Sequence, residues 1–351
     1  MGNIMMDAVK LGLGFSLVIV LLVAALIFYA TRPAISPARL NLADILTYPD
    51  FLTAPAPSHR PPVITVATYN IGYAAGEKNN LPVPLTKDEV LTNLATMARA
   101  LDALNLDIIG LQEVDFDSAR TFHINQLDYL ARALRMPYAA YVITWNKRYV
   151  AWPYWPPATQ FGAIVSGQAV LSRYPITQQQ LTRFEKPKRN AFWYNWFYLD
   201  RVIQELALTI GNDQPAALWH VHLDAFDTEA RLTQASTLAS IVNRNPAPFK
   251  WVIGDFNSVS EVRSDLSPEQ AADLEDTGEA LTIVTTRAAL EHARGKSPIF
   301  TIPSWDPIKK IDHILYTGGL HSQEAHTIPG LLASDHLPVW ARFTVSPSSK
   351  R

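Results

Sequence analysis

The chain has 351 residues, of which 48% are hydrophobic and 18% charged, with 25 prolines, 15 glycines and no cysteine. This composition is too apolar for a disordered chain, and the length suits one large or two ordinary domains. The absence of cysteine excludes a disulfide framework, a Cys-ligated zinc site and a thiol nucleophile. Thirty Lys and Arg against 32 Asp and Glu leave a formal charge of −2, so the strong positive charge of a duplex-binding protein is missing.

A long apolar segment lies near the beginning of the sequence. Residues 11–30 read LGLGFSLVIVLLVAALIFYA, twenty residues without a charge, and such a run crosses the hydrocarbon layer of a bilayer. A cleaved signal peptide has a shorter apolar region and small residues before its cleavage site, whereas Phe28 stands there in this chain. A buried core helix normally has a polar face. We therefore predict a transmembrane anchor at 11–30, after a short tail at 1–10.

The charges beside this anchor do not orient it clearly. Lys10 lies on one side and Arg32 and Arg39 lie on the other, so the positive-inside rule gives no clean answer. The absence of cysteine suits an oxidising compartment. On that ground we expect the main domain on the extracytoplasmic side. Nothing in the sequence indicates an oligomeric state.

The remainder divides into a linker and one long folded region. Residues 31–62 contain seven prolines and few apolar runs, which predicts a semi-extended tether. Strand and helix patterns then continue through 63–346 without a Pro- or Gly-rich break, and 347–351 form a tail. One layered α/β domain is therefore the simplest interpretation.

Strands and helices mix throughout this domain. A β-branched run at 63–69 predicts a buried strand, and a capping box from Thr86 to Glu89 predicts the start of a helix whose apolar face extends to Leu104. A helical apolar stripe predicts a second helix over 228–242. Apolar runs predict further strands at 107–111, 169–171, 202–210, 217–223, 251–253, 311–316 and 339–345.

Polar side chains occur where the predicted strands begin or end. Each of them alone fits a turn residue that caps backbone amides. Together they form a set of carboxylates, amides and imidazoles on rigid supports, as binding and catalytic sites require. The set comprises Asn70, Glu113, His222, Asp224, Asp255, Asn257, Asp312, Asp335 and His336.

Residues of these types suit metal-assisted hydrolysis of a phosphoester. Mg²⁺ takes one or two carboxylates together with phosphate oxygens. A further carboxylate can position and deprotonate the attacking water. An imidazolium held by an aspartate can neutralise the charge that develops on the phosphoryl oxygens.

Seven motifs resemble, in order, those of the endonuclease/exonuclease/phosphatase superfamily, which includes pancreatic deoxyribonuclease, the sphingomyelinases and the inositol-polyphosphate 5-phosphatases. The resemblance covers about 63–345, and the segment 115–130 further resembles membrane-anchored bacterial members. It implies an α/β fold, a four-layer sandwich of two packed mixed β-sheets flanked by helices. The motifs are TYNIGY (68–73), LQEVD (111–115), LSRYPI (171–176), HLDAF (222–226), GDFNS (254–258), IDHIL (311–315) and SDHLPV (334–339).

The resemblance implies a metal and a phosphate site. Glu113 would be the principal metal ligand, with Asn70 and Asp335 beside the metal, which is expected to be Mg²⁺ or Mn²⁺. Asn70, Asn257 and Arg173 would contact the substrate phosphate. These roles are carried over from the matching motifs, one residue at a time.

The same resemblance implies the catalytic groups. Asp255 would align or deprotonate the water, and Asn257 would hold both water and phosphate. His336, oriented by Asp312, would stabilise the phosphate, and His222 would be a second imidazole. We therefore expect a membrane-anchored, metal-dependent phosphoesterase acting on a phospholipid headgroup or another small phosphoester. The alternatives are a nuclease acting on DNA or RNA, and a membrane-tethered binding module on an inactive form of the fold.

Two further patterns carry alternative interpretations. The run His220-Val-His222-Leu-Asp224 also fits a binuclear zinc hydrolase, although Ala225 stands where that motif needs another histidine. The aromatic-rich segments 151–157 and 192–198 fit either packed loops or a platform for a membrane interface or a substrate. The neutral overall charge and the anchor favour lipid headgroups over a nucleic acid duplex.

Overall fold

The elements of the fold follow from a computed structural model, which describes residues 2–36, 43–52, 63–211, 213–268, 270 and 278–345. The helices are α1 (Gly2–Thr31), α2 (Lys87–Asp102), α3 (Gln126–Ala133), α4 (Phe192–Asn195), α5 (Thr228–Arg244) and α6 (Glu279–Arg287). The strands are β1 (Ala43–Thr47), β2 (Val63–Asn70), β3 (Ile108–Asp115), β4 (Tyr138–Val150), β5 (Gly162–Ser172), β6 (Ile176–Arg183), β7 (Val202–Ile210), β8 (Gln214–His222), β9 (Phe249–Asp255), β10 (Glu261–Val262), β11 (Glu291–His292), β12 (Lys309–Lys310), β13 (Asp312–Gly318), β14 (Leu320–Thr327) and β15 (Val339–Val345).

Two mixed β-sheets face each other. Within the described residues, one sheet has the strand order β1-β4-β5-β3-β2-β15-β14 and the other β11-β13-β9-β8-β7-β6. Apolar side chains from both sheets, such as Val66, Ile108, Leu218 and Trp251, fill the space between them. Helices α2 and α3 cover the outer face of the first sheet, and α5 and α6 cover that of the second. This arrangement confirms the predicted four-layer sandwich.

The start of α2 shows how local sequence sets an element. The Thr86 hydroxyl accepts a hydrogen bond from the Glu89 backbone amide, and the Glu89 carboxylate accepts one from the Thr86 amide. This reciprocal capping satisfies two amides that no preceding turn can serve. The buried face of the helix then packs on the first sheet through Val90, Leu94, Met97 and Leu101.

Part of the predicted tether belongs to the first sheet. Ala43–Thr47 pair antiparallel with Tyr138–Val142 at the sheet edge. The tether prediction is wrong for these five residues. None of them is a proline, so their backbone amides are available to pair at the edge of the sheet. Residues 37–42 and 53–62 of that segment, and the predicted tail 347–351, lie outside the described residues.

The end of α1 lies against β4. Helix α1 contains Lys10–Thr31, which by length and composition is able to cross a membrane. Directly after it, the Arg148 amide donates to the Arg32 carbonyl at 2.8 Å. Asn146 exchanges two hydrogen bonds with the backbone of Ile35, at 3.2 and 2.9 Å. A short, hydrogen-bonded segment therefore joins the apolar helix to the domain.

The polar strand ends of the two sheets meet at one end of the sandwich, called the polar end below. Asn70, the last residue of β2, pairs with Gln112 near the end of the parallel strand β3. In the second sheet, His222 and Asp255 are the last residues of the parallel strands β8 and β9 and pair with each other. Parallel strands thus deliver their carboxyl-terminal side chains to one place, as in other open α/β sheets.

Candidate active site

Asn70 links the two sheets at the polar end. Its Nδ2 atom donates hydrogen bonds to Glu113 Oε1 at 3.2 Å and to Asp255 Oδ2 at 3.1 Å. Its Oδ1 atom accepts one from the Gly72 amide at 3.1 Å. Because the side chain is buried and its polar atoms are occupied, it fixes a carboxylate of each sheet relative to the other.

The backbone of β3 is distorted at Glu113. This residue has a φ of +53°, in the left-handed region that disfavours side chains other than glycine. The pairing of β3 with β5 shifts register between Leu111 and Val114, as at a β-bulge. The bulge breaks the strand alternation and brings the Glu113 carboxylate to Asn70. Backbone strain of this kind costs about 1–3 kcal/mol and is common at functional sites.

His336 lies between two aspartates. Its Nδ1 atom is 2.9 Å from Asp312 Oδ2, and its Nε2 atom is 3.9 Å from Asp255 Oδ2. Asp312 and Asp255 are themselves paired across β13 and β9. Burial alone would lower the pKa of His336, but these two carboxylates, together with Asp335, raise it well above its usual value. The imidazole is therefore held in its charged form at neutral pH.

Asn70, Glu113, Asp255, Asp312, Asp335 and His336 are called the cluster below, and two of its carboxyl groups have raised pKa values. Burial, and next the charge of Asp312, raise the pKa of Asp255 to about 7. Burial, and next the charge of Asp335, raise the pKa of Glu113. Asp255 can therefore take up or release a proton near neutral pH, which is the property of a general base.

The cluster offers oxygen donors of the kind that hard divalent cations prefer. Asp255, Asp312 and His336 each place one donor atom within 4.8 Å of the others. This set differs from the predicted metal site of Glu113, Asn70 and Asp335. Within the set, Asp312 Oδ2 is already hydrogen-bonded to the His336 ring. Asp312 Oδ1 is buried without a hydrogen-bond partner among the described residues. An unpartnered carboxylate oxygen and the raised pKa of Glu113 both fit a cation bound beside them.

Two residues that the sequence analysis did not assign support the cluster. The Asn79 amide donates to both carboxylate oxygens of Asp335, each at 3.0 Å. The Ser334 hydroxyl donates to the Asn70 carbonyl at 2.8 Å and accepts from the His336 amide at 3.2 Å. Ser334 belongs to the SDHLPV motif, so its position was an available signal. Asn79 stands in a loop where no motif marks it.

His222 and Asn257 lie beside Asp255. The His222 Nε2 atom is 3.6 Å from Asp255 Oδ2, and burial, followed by the charge of Arg201, lowers the pKa of this histidine well below its usual value. The Asn257 amide donates to Asp255 Oδ1 at 2.9 Å, and its side-chain nitrogen donates to the Leu223 carbonyl at 3.0 Å. His222 is thus a neutral neighbour, and Asn257 also closes a turn.

Arg173 lies away from the cluster, and its predicted phosphate contact is wrong. Strand β5 runs antiparallel to β3, so Ser172 pairs with Ile108 at the start of β3, opposite the end that carries Glu113. The Arg173 side chain donates instead to the Leu106 carbonyl at 2.7 Å. The direction of the strand, which the motif does not reveal, carries this arginine to the other end of the sandwich.

His220 belongs to a buried polar network between the sheets. Its Nε2 atom contacts the Gln112 amide nitrogen, and its Nδ1 atom is 3.0 Å from Gln204 Oε1. Burial lowers its pKa to about 3, so the ring is neutral. With both ring nitrogens bonded to glutamines, His220 is not available as a zinc ligand next to His222.

Comparison with known proteins agrees with this geometry. The model of the Endonuclease/Exonuclease/phosphatase family matches residues 67–336. The chain belongs to this family, whose members hydrolyse phosphoester bonds. A search of curated proteins gives no match.

Solved structures share the fold at low sequence identity. A family member from Bacteroides vulgatus is 17% identical, with a TM-score of 0.54 over 81% of this chain and 100% of that one. One from Beutenbergia cavernae is 16% identical, with a TM-score of 0.55 over 82% of this chain and 72% of that one. A mannosyl-6-phosphatase from Bacteroides thetaiotaomicron is 15% identical, with a TM-score of 0.54 over 80% and 99%. At these identities the likeness shows the fold alone.

The charge of His336 provides a test of the site. In the metal-free protein its ring should stay protonated at neutral pH, and Asp312→Asn should lower its pKa because the substitution removes the nearest negative charge. A pH titration of the histidine ring nitrogens by NMR measures both values. His222 is the internal control, since its ring should stay neutral in both proteins. An ordinary histidine pKa for His336 that is unchanged by Asp312→Asn would contradict the ion pair.

Proposed function

We propose that the chain is a membrane-anchored phosphoesterase that uses a divalent metal, Mg²⁺ or Mn²⁺, to hydrolyse a phosphodiester or phosphomonoester with water. One observation carries the proposal: Asn70 joins Glu113 of the first sheet to Asp255 of the second, next to the charged His336. Membership of a phosphoester-hydrolysing family supports the reaction type. The apolar helix α1 supports the anchoring.

The carboxylates divide into a metal-binding and a proton-accepting group. Glu113 would hold the cation, with Asn70 and Asp335 beside it. A bound divalent cation polarises a phosphoryl oxygen and lowers the pKa of water. Asp255 would accept the proton of the attacking water, since its pKa of about 7 suits proton transfer at neutral pH.

The imidazoles and the amide would act on the phosphate. His336, kept charged by Asp312, would neutralise the negative charge that builds up on the phosphoryl oxygens. His222 and Asn257, which flank Asp255, would orient the phosphate and the water. Because Asp312 and His336 are hydrogen-bonded to each other, we expect them to act as one unit.

The substrate is proposed to be a lipid headgroup or another small phosphoester. A protein that tracks a nucleic acid backbone normally carries a strong positive charge, whereas this chain has a formal charge of −2. The hydrogen bonds that join α1 to the domain would also keep the polar end close to a bilayer.

A substrate panel tests the function directly. The full chain in lipid nanodiscs is assayed with sphingomyelin, phosphoinositides, bis-p-nitrophenyl phosphate, DNA and RNA, with and without EDTA. We expect metal-dependent hydrolysis of one or more of the first three, lost in EDTA and restored by Mg²⁺ or Mn²⁺. Faster cleavage of DNA or RNA would favour a nuclease instead. No turnover of any substrate would favour the binding module.

The metal assignment predicts the effect of Glu113→Gln. This substitution removes the charge of the ligand but keeps its shape, so turnover should fall by orders of magnitude and excess Mg²⁺ should restore it only partly. Initial rates over a Mg²⁺ titration provide the measurement. The control is Glu324→Gln, which changes a surface ion pair with Arg342. Turnover near that of the wild type would remove Glu113 from the metal site.

The proposed unit of Asp312 and His336 predicts non-additive losses. His336→Ala should nearly abolish turnover, with little change in metal affinity. Asp312→Asn should also lose much activity, because a neutral amide neither orients the ring nor stabilises its charge. The double variant should then be hardly worse than His336→Ala alone. Modest, additive losses in this double-mutant cycle would show two independent structural residues instead.

A further inference from the structure

Exposed aromatic side chains are concentrated at the polar end. Six of them, between 39% and 76% exposed, form what we call the aromatic rim: Trp152, Tyr154, Trp155, Phe192, Trp193 and Trp196. Among the large apolar side chains described outside α1, the opposite end exposes only Leu52 and Val63. Large exposed apolar side chains concentrated in one region mark contact surfaces in soluble domains.

The strand pairing places both segments of the rim at the polar end. Trp145, near the end of β4, pairs with Ser166 of β5, which also pairs with Asp115 at the end of β3. The loop that carries Trp152, Tyr154 and Trp155 therefore leaves β4 at this end. Arg183, the last residue of β6, pairs with Val202, the first residue of β7. Because β7 runs antiparallel to β8, this start of β7 lies beside the end of β8 that carries His222. The second segment of the rim follows β6 and lies there too.

Hydrogen bonds fix the second segment to β4 and to the neighbourhood of the catalytic cluster. The Trp145 indole donates to the Phe197 carbonyl at 2.7 Å, and the Asp200 amide donates to a β4 carbonyl at 2.8 Å. The Tyr198 hydroxyl donates to Asp224 at 3.0 Å. Because Asp224 comes two residues after His222, the last residue of β8, the rim and the cluster occupy adjacent positions.

Helix α1 ends at the same place. The Arg148 guanidinium lies 5.4 Å from the centre of the Tyr29 ring, in the last turn of α1. The Lys147 ammonium donates to the carbonyl of Thr31, the last residue of the helix, at 3.4 Å. Trp152 follows Arg148 by only four positions in the chain. If α1 crosses a bilayer, the rim therefore lies where the helix leaves it, the level at which Trp and Tyr are enriched in membrane proteins.

We propose that the aromatic rim inserts into the lipid surface from which α1 emerges, so that the catalytic cluster faces the headgroups of that membrane. The exposed Lys188 and Arg189 beside the second segment suit the phosphate groups of such a surface. This inference rests on the anchoring in the proposed function but not on the hydrolytic activity. It commits to lipid as the occupant of the rim.

Tryptophan fluorescence tests the contact without an assay of activity. The chain has nine tryptophans and α1 contains none, so quenching by lipid does not arise from the anchor. The full chain is placed in phosphatidylcholine nanodiscs with or without lipid that carries a spin label near the headgroup. We expect strong quenching in the wild type. Replacing Trp152, Trp155, Trp193 and Trp196 by Phe should remove more than half of it.

A charged variant tests whether the rim itself causes the docking. Trp155→Glu, Phe192→Glu and Trp193→Glu, combined, should strongly reduce quenching of the remaining rim tryptophans, Trp152 and Trp196. The control is Leu52→Glu, which places a negative charge on a half-exposed site at the opposite end and should leave quenching unchanged. Circular dichroism confirms that each variant is folded.

The outcomes separate docking from anchoring and from catalysis. A chain that does not co-purify with the nanodiscs refutes the anchor, and with it the docking. A chain that co-purifies but shows no quenching in the wild type, or equal quenching in the four-Phe variant, overturns the docking alone. Unquenched tryptophans in discs that hold two copies would assign the rim to a dimer contact instead. None of these results depends on turnover.

Discussion

Four carboxyl groups, those of Glu113, Asp255, Asp312 and Asp335, meet at the polar end of this sandwich. The cost of removing their charges from water, increased by the repulsion between them, is the constraint that the surrounding structure has to satisfy. Burying unpaired carboxylates is expensive unless hydrogen bonds and opposite charges compensate. Asn70 and His336 supply part of that compensation, since each interacts with carboxyl groups from different strands. These interactions do not fully offset the cost of burying the carboxylates, and the pKa values of Glu113 and Asp255 are therefore raised. A cation at this place would complete the balance.

The sheets hold these groups together by close backbone contact as well as by side chains. Gly254, directly before Asp255, has a φ of +144°, and a Cβ atom there would lie 1.9 Å from the Val221 carbonyl. Only glycine therefore allows β9 to approach β8 closely enough to set Asp255 beside His222. At Glu113 the first sheet accepts a left-handed residue for a comparable purpose. The regular core between the sheets makes such local departures tolerable.

Sequence reasoning succeeded where the determining interactions are local. The capping box at Thr86 marked the start of α2, and the polar residues at strand ends marked most of the cluster. It failed where partners are distant in the chain. The edge strand Ala43–Thr47 depends on β4 about a hundred residues later, and the location of Arg173 depends on the direction of β5. Asn79 gains its position only through a bond to Asp335, from a loop without a motif.

The arrangement of anchor, rim and cluster bears on how a substrate would reach the site. On the proposed anchoring, hydrogen bonds at Asn146 and Arg148 leave little freedom between the helix and the domain, so the polar end cannot turn far from the bilayer. A long, stiff duplex would then have to approach between the bilayer and a domain whose chain has a formal charge of −2. A lipid headgroup would already lie there and would need no entry path from solution. The same geometry that protects the buried carboxylates thus favours a substrate that the membrane itself presents.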